Sequence, residues 1–140
     1  MTAHTRATWT DGMAFKAELE GHSCMMDADE RFGGRNLGPR PKSLLLAGLA
    51  GCTGMDVVSL LRKMKMEWDR FSLEVEGQTA ESDPKVYTGI LVKYIFSGGR
   101  LERDKIEKAV KLSQEKYCPV SAMLGKTARI ATEIVLNPSQ

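Results

Sequence analysis

Apolar and polar positions alternate over residues 5–9, a turn signal follows at Thr10-Asp11-Gly12, and alternation resumes with Met13, Phe15, Ala17 and Leu19 set among Lys16, Glu18 and Glu20. This pattern predicts a hairpin with one apolar face. Gly21 interrupts it, and residues 22–28 alternate again, with Cys24 and Met26 on one side and Met25 and Asp27 on the other, as a third strand would. Cys24 there reads as a small apolar filler, and His22 as a strand-end surface residue. Over residues 29–41 the alternation is lost. Gly33, Gly34, Gly38, Pro39 and Pro41 stand among Arg31, Arg35 and Arg40, marking a long irregular loop. Its arginines fit either a solvated linker or a group that reaches a site elsewhere.

The period changes in Ser43-Leu-Leu-Leu-Ala-Gly-Leu-Ala-Gly-Cys52-Thr-Gly-Met-Asp-Val-Val-Ser-Leu-Leu61. Apolar residues surround Cys52 on nearly every side, too broadly for a surface helix with a single buried stripe, so a long, central, buried helix is expected. Pro39 and Pro41 precede it, and Arg62, Lys63 and Lys65 lie where cations suit a helix C-terminus. A membrane span is not expected, because the uncharged run ends at Asp56, short of a bilayer's width. Gly48, Gly51 and Gly54 each cost about 1 kcal/mol of helix propensity relative to alanine. They allow another backbone to approach closely, for core packing or to leave room for a substrate beside Cys52.

Further on, Phe71, Leu73 and Val75 alternate with Ser72, Glu74 and Glu76, and Glu81-Ser-Asp-Pro84 turns the chain into a second strand over residues 86–96. Asp104 and Glu107 fit a capping box for a helix over residues 105–117. Cys118-Pro119 interrupts that helix and suits a cap and first position for a short helix to Gly125. Residues 127–136 read as a last strand. The order of elements predicts an α+β fold with a mainly antiparallel sheet.

Composition narrows the function classes. A chain of 140 residues with 42% hydrophobic and 27% charged content reads as one domain, 1–140, with enough length to bury a core. A net charge of +2 without a basic run gives no reason to expect nucleic acid or membrane as partners. The first residues lack the apolar segment of a signal peptide, so a cytoplasmic protein with reduced thiols is expected. No Gly-rich loop follows a strand, and His4 and His22 are not spaced with the cysteines as zinc ligands, so neither a bound cofactor nor a metal is expected.

Cysteine chemistry remains. The thiolate is the reactive form, and Cys118, at the start of a helix, faces unpaired N–H groups that favour it. Cys52 lies about nine residues into its helix, roughly 14 Å from the N-terminus at about 1.5 Å per residue, with Asp56 one turn further on the same face. A reactive Cys52 thus needs a cation from elsewhere, with Arg31, Arg35, Arg40 or Lys16 as candidates. Asp56 would then neutralise or orient that cation.

Pro39-Arg-Pro41 leading into the Cys52 helix, followed later by Ser113-Gln-Glu-Lys-Tyr-Cys118-Pro-Val-Ser-Ala-Met-Leu124, resembles the OsmC/Ohr family of osmotically induced and organic hydroperoxide resistance proteins, in a shorter OsmC-like branch. The resemblance spans nearly the whole chain. It implies an intertwined homodimer whose sheets wrap the central helices, and a thiol-dependent peroxidase that reduces organic hydroperoxides. Cys52 would be the peroxidatic thiol, passing through a sulfenic acid, and Cys118 the resolving one, closing a disulfide that a dithiol reduces. Leu49, Met55 and Met123 would line the pocket for an apolar hydroperoxide tail. The family's peroxidases also carry an arginine on the early strands and a glutamate near the start of the central helix, where this chain has Lys16, and Lys42 and Ser43. Without that pair, the scaffold also fits a non-catalytic binding module for an apolar small molecule, or a redox sensor.

Overall fold

In the computed structural model, which describes residues 1–139, the chain forms two units, Met1–Leu45 and a second from Leu46 onward. The first holds β1 (Thr5–Asp11), β2 (Ala14–Leu19) and β3 (His22–Met26), joined as an antiparallel sheet in that order. Gly12 and Gly21 take left-handed backbone angles at the two turns, as an L-residue with a Cβ rarely does. A register shift between Trp9 and Asp11 separates the hairpin from ideal alternation. The apolar face expected of Met13, Phe15 and Leu19 is exposed; Ala14 and Ala17 are the buried residues of β2.

The long loop is not wholly irregular. Asp29 caps a single 3-10 turn, Glu30–Phe32, by accepting from the Arg31 amide. The rest is wrapped around Asp27, a residue only 3% exposed, whose carboxylate accepts from the backbone N–H groups of Ala28, Arg35 and Leu37 at 2.7, 3.2 and 3.1 Å. The Asp27 amide in turn donates to the Pro39 carbonyl. Gly34 and Gly38 are needed where this wrapping is tightest, since a Cβ would collide with the carbonyls of Ala28 and Met25 respectively.

A long helix, α1 (Pro41–Lys63), leads into the second unit, followed by β4 (Arg70–Thr79), β5 (Tyr87–Ser97), α2 (Arg103–Leu112), a π-helical turn at Ser113–Tyr117, α3 (Pro119–Leu124) and β6 (Arg129–Leu136). The sheet order is β4-β5-β6. β4 and β5 are antiparallel, whereas β6 runs parallel to β5 because the helices between them carry the chain back to its starting end. Three of the four strand pairings are therefore antiparallel, and the fold is α+β as expected. β5 buries alternate residues, Ile90, Val92, Tyr94 and Phe96, against Leu49, Val57 and Leu61 of α1 and Ile106, Ala109 and Val110 of α2, in one core. Phe71 stacks on Phe96 with ring centroids 4.2 Å apart.

Two local expectations are corrected. α1 is not buried all round: Leu49, Thr53, Gly54, Val57 and Leu61 form one enclosed stripe, while Met55 is 76% exposed and a Cβ on Gly48 or Gly51 would meet open space. The second unit has only one sheet and one helical layer to set against this helix, and they cover one face. By length and hydropathy α1 could span a membrane, but its enclosed stripe makes it the core helix of this unit. Nor do Asp104 and Glu107 form a capping box. The helix begins two residues earlier, with Glu102 as cap and Asp104 inside the first turn, and Glu107 pairs instead with Arg103 at 3.4 Å.

Burial works against the ionised Asp27 carboxyl, but the three backbone N–H bonds, helped by the Arg35 charge, outweigh it and hold its pKa below the ordinary aspartate range. The carboxylate therefore stabilises the loop fully above the unfolded-chain pKa, and that contribution is lost as pH falls through the lower folded value. Amide exchange should show Arg35 and Leu37 protected at neutral pH, with protection lost below the usual aspartate range, and Asp27→Asn should remove much of it at neutral pH. Unchanged protection in that variant would show that the loop holds its shape without the charge.

Candidate functional site

Cys52 projects from the middle of α1, and Cys118 caps α3 with Pro119 in the first helical position. The π-helical turn delivers Cys118 there: its amide donates to the Ser113 carbonyl at 2.8 Å, closing the widened turn before the chain changes direction. The two cysteines meet. Their side chains are within hydrogen-bonding reach of each other, Cys118 inside the core and Cys52 half-buried against it. All three cysteines are free thiols; Cys24, on β3 of the first unit, is half-buried opposite Ala17.

Cys118 is not the anion that its place at a helix start led us to expect. It is 3% exposed, and burial is the largest influence on it. The Ser121 amide, donating to Cys118 Sγ at 3.3 Å, opposes that effect. Donation to Cys52 and the nearby Cys52 charge add to it, and the thiol is pushed up from 9.0 to about 11. Cys118 therefore keeps its proton at neutral pH, within reach of Cys52.

Beside the thiols lies a buried polar cluster that sequence reasoning did not find. Thr53, next to Cys52, is fully enclosed, and its hydroxyl bonds to Tyr94 Oη of β5 at 2.8 Å and to Ser113 Oγ of the π turn at 2.7 Å. Ser113 Oγ donates to Asp56 Oδ2 at 2.9 Å. Gln114 Nε2 donates to Tyr94 Oη at 2.9 Å and more weakly to Thr53 at 3.4 Å, while Gln114 Oε1 accepts from Ser121 Oγ at 2.5 Å. Burial raises the Tyr94 pKa above its ordinary value; the bonds from Thr53 and Gln114 oppose this, and the neighbouring Cys118 and Asp56 charges add to it. Asp56 therefore serves a serine hydroxyl, where a cation had been expected. The one signal available in sequence was the grouping of Thr53 and Asp56 on an apolar helix with Ser113 and Gln114 just ahead of Cys118.

The loop arginines are engaged within their own unit. Arg31 pairs with Asp29 at 3.0 Å, Arg35 with Asp11 at 3.3 Å, and Arg40 with Asp29 at 3.8 Å and with the carbonyls of Gly38 and Asp27. The hairpin carries Arg6 as well as Lys16, opposite Glu18 and Met25 respectively, and both are exposed. Of the residues expected to line a pocket, Leu49 is sealed in the core and Met123 is exposed on α3. Met55 lines a groove of about 720 Å³ along α1, with Gly51, Val58 and Leu73 on its apolar walls and Arg62 and Lys63 at its rim. Among the described residues no group of three or more histidine, cysteine or acidic side chains could hold a metal ion.

These features define a class of α+β protein in which a core helix presents one cysteine to a second, carried by a helical crossover. The chain belongs to the OsmC-like protein family, whose pattern matches residues 33–133. Protein YhfA of Escherichia coli K12 is 32% identical over 126 residues, covering 89% of this chain and 91% of that protein. Among solved structures, a hypothetical protein from Aquifex aeolicus VF5 superposes with a TM-score of 0.87 at 26% identity, covering 100% of this chain and 99% of the other. An organic hydroperoxide resistance protein OsmC from Legionella pneumophila shares the fold at a TM-score of 0.72 and 17% identity, covering 96% of this chain and 97% of that one.

Two measurements test the site. Thr53→Val keeps the shape but strips Tyr94 and Ser113 of a partner, so urea denaturation should register a loss of about 1–3 kcal/mol. A raised thiol pKa stabilises the fold fully below the unfolded value of 9.0, and that contribution is lost as pH rises toward about 11. Stability of the unmodified protein should therefore fall more steeply across that window than stability of Cys118→Ala. Parallel pH curves for the two would show that Cys118 is not held neutral.

Proposed function

We propose that this chain is a thiol-dependent peroxidase for organic hydroperoxides, a single OsmC-like domain acting as a cytoplasmic homodimer. The observation that carries the reading is two free thiols, Cys52 and Cys118, brought within reach of each other at the core. Burial keeps the Cys118 thiol protonated, which leaves the nucleophile's role to Cys52. Its thiolate attacks the terminal peroxide oxygen; an S–O bond forms, the O–O bond breaks, and the alkoxide leaves and takes a proton to become the alcohol. Cys118 sulfur then attacks the Cys52 sulfenic acid, and its proton departs with the hydroxide as water, leaving a Cys52–Cys118 disulfide. A dithiol returns both to thiols by exchange. No cofactor enters these steps.

The name of the Legionella pneumophila neighbour supports a role in hydroperoxide resistance. The exposed side of α1, with Leu45, Met55 and its long groove, supports a second copy of the chain as its cover. One observation favours a second reading, a binding module for an apolar small molecule: Arg31, Arg35 and Arg40 are engaged by carboxylates and carbonyls of their own unit rather than held ready for a thiolate.

With cumene hydroperoxide and dithiothreitol, Cys52→Ser should lose consumption by about a hundredfold or more. Cys118→Ser should still form a trappable Cys52 sulfenic acid but should not form the intramolecular disulfide. Consumption unchanged in Cys52→Ser would remove the peroxidase reading. Both thiols staying reduced under hydroperoxide, with an apolar ligand copurifying, would establish the binding module.

A further inference from the structure

The polar cluster beside the thiols has a direction, and proton counting gives it. Asp56 as carboxylate can only accept, so the single Ser113 hydroxyl proton is committed to it. The Thr53–Ser113 contact must then be donated by Thr53. With the Thr53 proton spent, the contact with Tyr94 must be donated by Tyr94. With the Tyr94 proton spent, Gln114 must present its Nε2 to Tyr94, which turns Oε1 toward Ser121 and makes the Ser121 hydroxyl a donor. Five bonds thus run one way, from Ser121 to Asp56, and the amide of the same Ser121 donates to Cys118 Sγ.

We propose that Asp56 is a positioning residue for Cys118, its charge setting the direction of the chain through Ser113, Thr53, Tyr94 and Gln114 that holds Ser121, and with it the Cys118 thiol, against Cys52. The assignment deepens the peroxidase reading, on which its consequence for turnover rests; its consequence for disulfide formation rests on the geometry alone. Such chains act as a unit, because each link polarises the next.

The direction makes a prediction that packing alone does not. Gln114→Glu replaces a donor with a group that only accepts. Tyr94 must then donate to residue 114, Thr53 to Tyr94 and Ser113 to Thr53, which leaves Ser113 Oγ facing the Asp56 carboxylate with no proton between them. Asp56→Asn in the same protein removes that conflict, because the new amide donates to Ser113 and the links from residue 56 to residue 114 run backwards, fully bonded, while Ser121 still donates to residue 114. A second substitution should therefore repair the first.

The test is the effective concentration of the Cys52–Cys118 disulfide in glutathione redox buffers at about pH 8, where a carboxyl at position 114 is ionised at its ordinary pKa. Gln114→Glu should lower it by about tenfold, Asp56→Asn by about threefold, and the double variant should return to within about threefold of the unmodified protein. Losses that multiply in the double variant would overturn the proposal. If Gln114→Glu does not fold, Tyr94→Phe serves: with the chain cut there, Asp56→Asn should cause no further loss, and a full threefold loss would again overturn it. Cumene hydroperoxide consumption measured alongside separates the two claims. Rescue without consumption removes the peroxidase reading and keeps the chain; consumption with multiplying losses does the reverse.

Discussion

Thr53 has no exposed surface, and a hydroxyl sealed in a core without partners costs about 1–3 kcal/mol. Much of the second unit is arranged so that this cost is avoided. β5 has to bring a hydroxyl inward at Tyr94, and the helical crossover has to bring polar side chains to α1 at the level of residue 53. Thr53 is the chain neighbour of Cys52, so meeting its needs also fixes where Cys118 arrives. The hydroxyl and the thiol pair are two consequences of one packing constraint.

A regular helix could not satisfy that constraint from α2 alone. Ile106, Ala109 and Val110 keep a 3.6-residue period and bury themselves in the core, and Ser113 continues the same face. Gln114 would then turn away, yet it too reaches Thr53 and Tyr94. The π turn at Ser113–Tyr117 widens the helix by one residue per turn, so that consecutive side chains serve the same cluster. It also brings Cys118 back under the Ser113 carbonyl, from which Pro119 starts α3 in a new direction.

How much of this was legible in the sequence depends on how local each cause is. Strands, turns and the start of α3 follow from neighbours a few residues apart: Thr10-Asp11-Gly12 made its hairpin, and Cys118-Pro119 made its cap. The Cys118 cap was readable, but its protonation was not, since burial and Cys52 come from elsewhere in the fold. The polar cluster joins residues 41, 57 and 60 positions apart, and nothing in a short window marks them as partners. Asp27 gathers amides eight and ten residues away, so a loop that read as irregular is in fact organised by one carboxylate. The apolar girth of α1 read as burial on every side, whereas the structure encloses one stripe of it.

An apolar core of equal volume would often be as stable as a buried polar one, so stability alone does not explain six polar side chains beside two sulfurs. Movement offers a reason. A hydrogen-bonded thiol pair is in van der Waals contact, whereas a disulfide sets its sulfurs about 2.05 Å apart, so closing the bond requires a shift of more than about 1 Å. Cys52 cannot supply it, because Leu49, Val57 and Leu61 lock α1 into the core on either side. α3 is six residues long and is tied down near Cys118 by directional bonds from Ser121 and to Ser113, which can bend without opening a cavity. Hydrogen bonds tolerate such bending where close-packed methyl groups resist it. The polar links thus join the rigid α1 and β5, through Thr53, Asp56 and Tyr94, to the crossover that carries Cys118, and they can bend where the packing of α1 cannot.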